Sequence, residues 1–301
     1  MKARWNKLNS RRSGSYYGFV IDSETDPLTN LRFADDVMLF ACSSADAAKM
    51  INDLRQEASK YGLKLNMGKT VVLTNRQAGR PASVMCGGQA VKVASPEDTE
   101  RYLGHKLSTH DFHNVEFDNR LASAWAAFFK LKDVLCNKKV PLKDRVKLFE
   151  CSVTPCALYA CGTWSASAET ERRLFTTRRR MLRLMVRVPR HQDEEWIAYI
   201  QRATHRSEEL TRKHGAKDWG QLQRQQKWKL AGKAATSIDG RWISRLLAWT
   251  PWFRTLPHRS VGRPIKRWDE DIVKLAASSC LRRPSLDSIF AESVAFISGL
   301  P

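Results

Sequence analysis

The sequence predicts an α+β chain: a small antiparallel sheet with a helix, then a helical region, then a tryptophan-rich helical tail. Two changes of pattern predict it. Over the first hundred residues short apolar runs are broken by Gly, Pro and Asp clusters at strand and hairpin spacing, whereas after about Asn119 apolar residues recur at helical spacing. The charge changes with them. Residues 1–100 carry 14 basic and 11 acidic side chains, net +3, while residues 101–301 carry 37 and 20, net +17 of the chain's +20. Three segments are expected: 1–110, sheet and helix; 111–190, helical; 191–301, basic, Trp-rich and helical.

In order, Leu31 to Ala34 and Val37 to Ala41 read as two strands meeting at Asp35 and Asp36, a hairpin with two carboxylates at its tip. Ser43 or Ser44 caps a helix carrying Ala47, Met50, Ile51, Leu54 and Ala58, and Gly62 ends it. Leu63, Leu65, Val71 and Leu73 alternate as a half-buried strand. Gly79, Pro81, Gly87, Gly88 and Pro96 punctuate a loop and second hairpin before Tyr102, Leu103 and Gly104. Helices are predicted over Leu121 to Leu135, Leu142 to Tyr159, Ala168 to Val188, Trp219 to Ala235, Arg241 to Trp249 and Lys266 to Ala276. Polar, weakly periodic residues 189–215 read as the linker.

Composition excludes several classes. Hydrophobic residues at 43%, with ten Trp and twelve Phe, argue against global disorder, and no apolar run approaches a membrane span. Seven cysteines without a CxxC pair fit neither a disulfide framework nor a zinc ribbon, so the chain reads as intracellular and reduced, nuclear or cytoplasmic. Cys151, Cys156 and Cys161 scatter around a helix and read as small hydrophobes. Residues 1–21, basic and acid-free, have the composition of a mitochondrial presequence, against which a solvated basic leader is the expected reading.

Adjacent carboxylates flanked by apolar strands are costly unless a cation or water meets them. Mg²⁺ fits, because it takes one or two carboxylates and completes its shell with water and substrate phosphates. An ordinary Asp-Asp turn is the alternative reading of the dipeptide alone. Order and spacing decide between them. Phe33-Ala34-Asp35-Asp36, then a helix, then Gly62-Leu63-Lys64-Leu65-Asn66-Met67-Gly68-Lys69-Thr70, then Tyr102-Leu103-Gly104 resembles the second half of a reverse transcriptase of the non-LTR (LINE-like) retrotransposon type.

That resemblance implies a partial polymerase palm over 1–110, a thumb and connection over 111–190, and a C-terminal tail. It implies that Asp35 and Asp36 hold Mg²⁺ and act in two-metal nucleotidyl transfer, that Lys69 donates a proton to leaving pyrophosphate, and that Tyr102, Leu103 and Gly104 form the primer grip. RNA template, DNA primer and deoxynucleotides are the implied partners. Two motifs of the family are missing: nothing before Asp35 reads as the first metal-binding Asp strand or the Gly-rich motif, and Asp22 is better placed in the loop before the hairpin. The chain is therefore expected to be a fragment or decayed copy that does not polymerise alone, and the missing strand should leave Phe33, Val37 or Leu39 partly uncovered. A non-catalytic nucleic-acid-binding protein and a functionless relic are the alternatives.

Residues 169–190 hold eight Arg against Glu169 and Glu171. At helical spacing Leu174, Phe175, Met181, Leu182, Met185 and Val186 face a core while Arg172, Arg179, Arg183 and Arg190 line another face. Arg172, Arg178, Arg179, Arg180 and Arg183 are the candidate phosphate contacts, with a merely solvated face as the alternative.

Overall fold

The computed structural model describes Trp5 and residues 17–21, 25–74, 81–95, 97–109, 111–237, 242–248, 267–270 and 272. Asp22, most of the basic leader, the stretch 251–264 and most of the helix expected at 266–276 lie outside the described residues. The chain divides into two compact units, Met1–Glu116 and Phe117–Pro301.

The first unit is α+β, as expected, but its strands form three small sheets rather than one. β1 (Asn30–Phe33) and β2 (Asp36–Leu39) pair antiparallel in the register Asn30 to Leu39 through Phe33 to Asp36. α1 (Ser44–Ser59) follows, capped as expected: the Ser43 hydroxyl accepts from the Asp46 N–H at 3.1 Å and donates to its carboxylate at 2.8 Å. Gly62 at φ 72° lets the Leu63 N–H return to the Ala58 carbonyl at 3.1 Å.

The strand expected from Leu63 to Leu73 shrinks to β3 (Val71–Val72), which runs parallel to β5. Asn66 is the cause. Its side chain accepts from the Lys69 N–H at 3.2 Å and its carbonyl from the Thr70 hydroxyl at 2.9 Å, so 66–70 closes into a turn. β4 (Ser83–Cys86) and β5 (Gln89–Val93) form the second hairpin through Gly87 and Gly88, both at positive φ. β6 (Glu100–Tyr102) and β7 (His105–Leu107) form a third around Leu103 and Gly104. Ile51, Val84, Cys86, Val91 and Val93 make the core, and Trp5, Tyr17 and Met50 a second cluster; Leu39 packs on both.

The second unit is helical. α2 (Phe112–Lys130) begins in the first unit and supplies Phe117, Leu121, Ala124 and Phe128 at helical spacing. It is followed by α3 (Lys132–Leu135), α4 (Leu142–Ala157), a 3₁₀ turn at Cys161–Thr163, α5 (Ala168–Val186), α6 (Trp196–Lys213), α7 (Trp219–Ala235) and α8 (Trp242–Ala248). Val146, Phe149 and Val153 of α4 and Leu174, Met181, Leu182 and Met185 of α5 fill the core. Trp219 lies flat on Phe149, 5.9 Å between centroids, and gives its indole N–H to Thr154 at 3.0 Å.

Residues 189–215 are not a linker: most of them form α6. Its buried residues are Ala203, Ser207 and Thr211, four apart, so it packs through small and polar side chains that a hydrophobic pattern does not register. The cysteine expectation is also refined. Cys161 is buried, its thiol pushed up to about 12 by desolvation, but Cys156 is half-buried and Cys151 exposed. Among the described residues there is no group of three His, Cys, Asp or Glu able to hold a metal, and no helix long and apolar enough to cross a membrane.

Candidate catalytic turn and nucleic-acid face

Register places the carboxylates. Phe33 pairs with Asp36, so Ala34 and Asp35 are the two-residue turn and Asp36 opens β2. Ala34 sits at φ 51°, in the left-handed region that hairpin turns require and alanine disfavours. Both Asp are exposed, and among the described residues neither side chain makes an ion pair or a hydrogen bond. Phe33 is 66% exposed beside them, and Val37 and Leu39 are half-buried, the uncovered apolar surface expected of this hairpin.

Tyr102 comes within electrostatic reach of this turn. Its phenol is half-buried and its pKa raised, first by burial and then by the Asp36 charge. The hairpin turn after Tyr102 uses Leu103 at φ 48° and Gly104 at φ 79°. Glu116 fixes this hairpin from the first turns of α2: its buried carboxylate accepts from the Lys106 N–H at 2.7 Å and lies 3.0 Å from His105 Nδ1. Lys69 is different. It stands exposed on the Asn66 turn, and among the described residues its ammonium makes no ion pair with Asp35 or Asp36.

The donor set fits a hard divalent ion in one specific sense. Two adjacent, exposed carboxylates, without a side-chain partner among the described residues, could supply the protein share of a Mg²⁺ shell whose other positions go to water and phosphate oxygens. They do not amount to an all-protein cage.

The arginine helix needs a larger correction. Leu174, Met181, Leu182 and Met185 are buried as expected, with Phe175 and Val186 half-buried. Arg178, expected on the phosphate-facing surface, is only 6% exposed. It sits 3.6 Å from Glu208, and desolvation lowers its pKa against the opposing pull of Asp218, Glu208 and Glu150. It also lines a cleft of about 660 Å³ whose walls mix His205, Arg212 and Lys217 with Glu209 and Asp218, an arrangement with no strong preference for a polyanion. The physical reason is position: four residues after Leu174 and three before Met181, it shares the helix face they bury.

Three other candidates are engaged within the protein. Arg172 forks onto Glu169 at 2.7 and 2.8 Å, Arg179 bonds Glu208 at 3.0 Å, and Arg183 donates to the Thr204 hydroxyl at 2.8 Å. The first two pairs are exposed and exchangeable. Arg180 alone of the five is exposed without an ion pair among the described residues, its guanidinium 5.5 Å over the Trp125 ring.

Sequence reading missed two arrangements. Buried Arg145 donates to the carbonyls of Leu135, Val140 and Met185; an Arg one turn after a proline helix start gave no signal of this. Arg173 lies over Phe117 and pairs with Asp118, parallel to the Arg180 and Trp125 contact. The Trp125-to-Phe129 spacing of four in an otherwise alanine-rich helix was the available clue.

Residues 13–107 match the family model for reverse transcriptase (RNA-dependent DNA polymerase), a stretch that contains Asp35, Asp36, Lys69 and Tyr102 to Gly104. Over 251 residues the chain is 34% identical to a transposon-derived protein of Caenorhabditis elegans, covering 82% of this chain and 85% of the relative. No solved structure matches the chain significantly. The relative's match, at 82% of this chain, runs through both units, and the family match contains the carboxylate turn: the chain belongs with the transposon-derived proteins, and its residues 13–107 are of the reverse transcriptase type.

Proposed function

We propose that the chain is part of a reverse transcriptase of the non-LTR retrotransposon type. Residues 1–110 form part of the palm, 111–190 the thumb and connection, and 191–301 a basic C-terminal region. The observation that carries the reading is the exposed pair Asp35 and Asp36, unpartnered on a hairpin turn within the matched stretch. There they would hold Mg²⁺, which when bound supplies charge stabilisation for phosphoryl transfer. Tyr102, Leu103 and Gly104 would support a primer end, and Lys69 would face the leaving pyrophosphate. RNA template, DNA primer and deoxynucleotides are the partners of the intact enzyme, and the compartment is nuclear or cytoplasmic.

Two measurements test this. Mg²⁺-dependent binding of a fluorescent deoxynucleotide should be weak but measurable and should vanish in Asp35→Ala and Asp36→Ala; binding indifferent to both substitutions refutes the metal assignment. Primer extension on RNA by this chain alone should give no product, because one turn of carboxylates does not hold two ions in line. Template-dependent product lost in Asp35→Ala would refute inactivity while supporting the enzyme class.

A second reading is a nucleic-acid-binding protein without catalysis, favoured by the net +17 of residues 101–301. Equal RNA affinity of the wild-type and Asp35→Ala chains, with no nucleotide binding by either, would select it.

A further inference from the structure

The contacts of α2 and α5 set an aromatic pair beside an uncommitted arginine. Trp125 and Phe129, one turn apart on α2, stack with centroids 5.4 Å apart and planes inclined by 24°. Trp125 is anchored at the edge of the core by an edge-on contact with fully buried Phe128, 5.7 Å away. Phe129 is 56% exposed. From α5, Arg180 lies over Trp125, and Arg187, seven residues on, is exposed and without an ion pair among the described residues. Seven residues in the other direction, Arg173 is already neutralised by Asp118. The helical rise puts Arg173 and Arg180 about 10 Å apart along one stripe of α5, and Arg187 follows as its left-handed C-cap at φ 51°.

A single exposed Phe is ordinary on a protein surface. A flat aromatic pair with an unneutralised guanidinium over one ring is a different arrangement: it is apolar and π-faced at its centre and cationic at its edge. A base attached to a phosphodiester has the same two parts. Bases stack on aromatic rings irrespective of sequence, and guanidinium groups take the flanking phosphates. A paired base keeps its faces inside the duplex, so the surface selects unpaired strands.

We propose that Trp125, Phe129, Arg180 and Arg187 form a stacking platform for single-stranded nucleic acid, the Phe129 ring taking an unpaired base and Arg180 an adjacent phosphate. The proposal rests on the nucleic-acid reading above and assigns it a place and a strand preference.

Fluorescence anisotropy with the full chain, a labelled mixed-sequence single strand and a blunt duplex of the same length tests it. Phe129→Ala should weaken single-strand binding about fivefold to a hundredfold and leave duplex binding unchanged. Phe129→Leu should be as weak as Phe129→Ala, because it restores apolar area without a ring. Arg180→Ala should weaken binding and lower the slope of log affinity against log salt by about 0.7. Circular dichroism confirms folding of each variant. Wild-type affinity in Phe129→Ala, or full rescue by leucine, overturns the platform while leaving the basic-surface reading intact. No binding of either strand form by the wild-type chain overturns both. A wild-type dimer that Phe129→Ala dissociates assigns the surface to a second copy and also overturns the platform.

Discussion

Replacing Arg145 by alanine removes the group that joins three carbonyls within the helical unit. Its Nη1 donates to Leu135 O at 3.2 Å and Met185 O at 2.6 Å, and its Nε to Val140 O at 3.0 Å. Leu135 ends α3 and Met185 lies in the last turn of α5, so two of these acceptors lack helical partners of their own. The guanidinium, 6% exposed, thus satisfies them and places a positive charge at two negative helix ends. Hydrogen bonds to a charged donor contribute about 1.5 kcal/mol or more each, and an orphaned buried acceptor costs about 1–3 kcal/mol. These terms overlap, and the combined loss is about 3–4 kcal/mol. Urea unfolding followed by circular dichroism at the helix band reads it as a lower midpoint. Arg145→Met, which keeps the apolar stem but no donor, should lose nearly as much, and Arg145→Lys less. A methionine variant within about 1 kcal/mol of wild type would refute the claim that these bonds, rather than packing, are what the residue contributes.

Ala34→Gly should stabilise the first unit by about 0.5–1 kcal/mol, since glycine removes the strain of the positive-φ turn and retains only its entropic cost; a lower denaturation midpoint would contradict the turn assignment. Gly162→Ala should destabilise the helical unit by about 1–3 kcal/mol, because a Cβ there would stand 2.9 Å from the backbone oxygen of Gln226 in α7; an unchanged midpoint would mean the two segments can separate freely. Hydrogen bonds and charge from Arg202 lower the Glu194 carboxyl to about 2 from its usual 4.5. With the folded pKa below the unfolded one, the stabilisation is present above pH 4.5 and is lost as pH falls towards 2, and Glu194→Gln should reduce that acid dependence in a pH-denaturation series.

The carboxylate turn was legible in the sequence because everything that builds it is local: alternating strands, a two-residue reversal, a Ser cap eight residues after Asp35 and a Gly stop. The helices over 142–157 and 168–186 were legible for the same reason, their apolar residues repeating at the helical period, whereas 219–235 buries Gln223 and Lys227 beside Trp219 and Ala231. Local pattern placed Asp35 and Asp36 at a hairpin tip, and the metal-binding role expected of them is what the resemblance of the motif order through Asn66 and Tyr102 implies. Only tertiary structure decided which arginines of α5 reach solvent. Arg178 and Arg180 are two residues apart and chemically identical, yet one meets Glu208 inside the protein and the other lies on Trp125, because the neighbouring helices α6 and α2 cover different sides of α5. Tertiary structure likewise decided that α6 is a packed helix, since small residues such as Ala203 and Ser207 acquire meaning only when another helix lies against them. Helix periodicity is written in the spacing of a chain's own residues, but burial is a property of what comes to lie beside them.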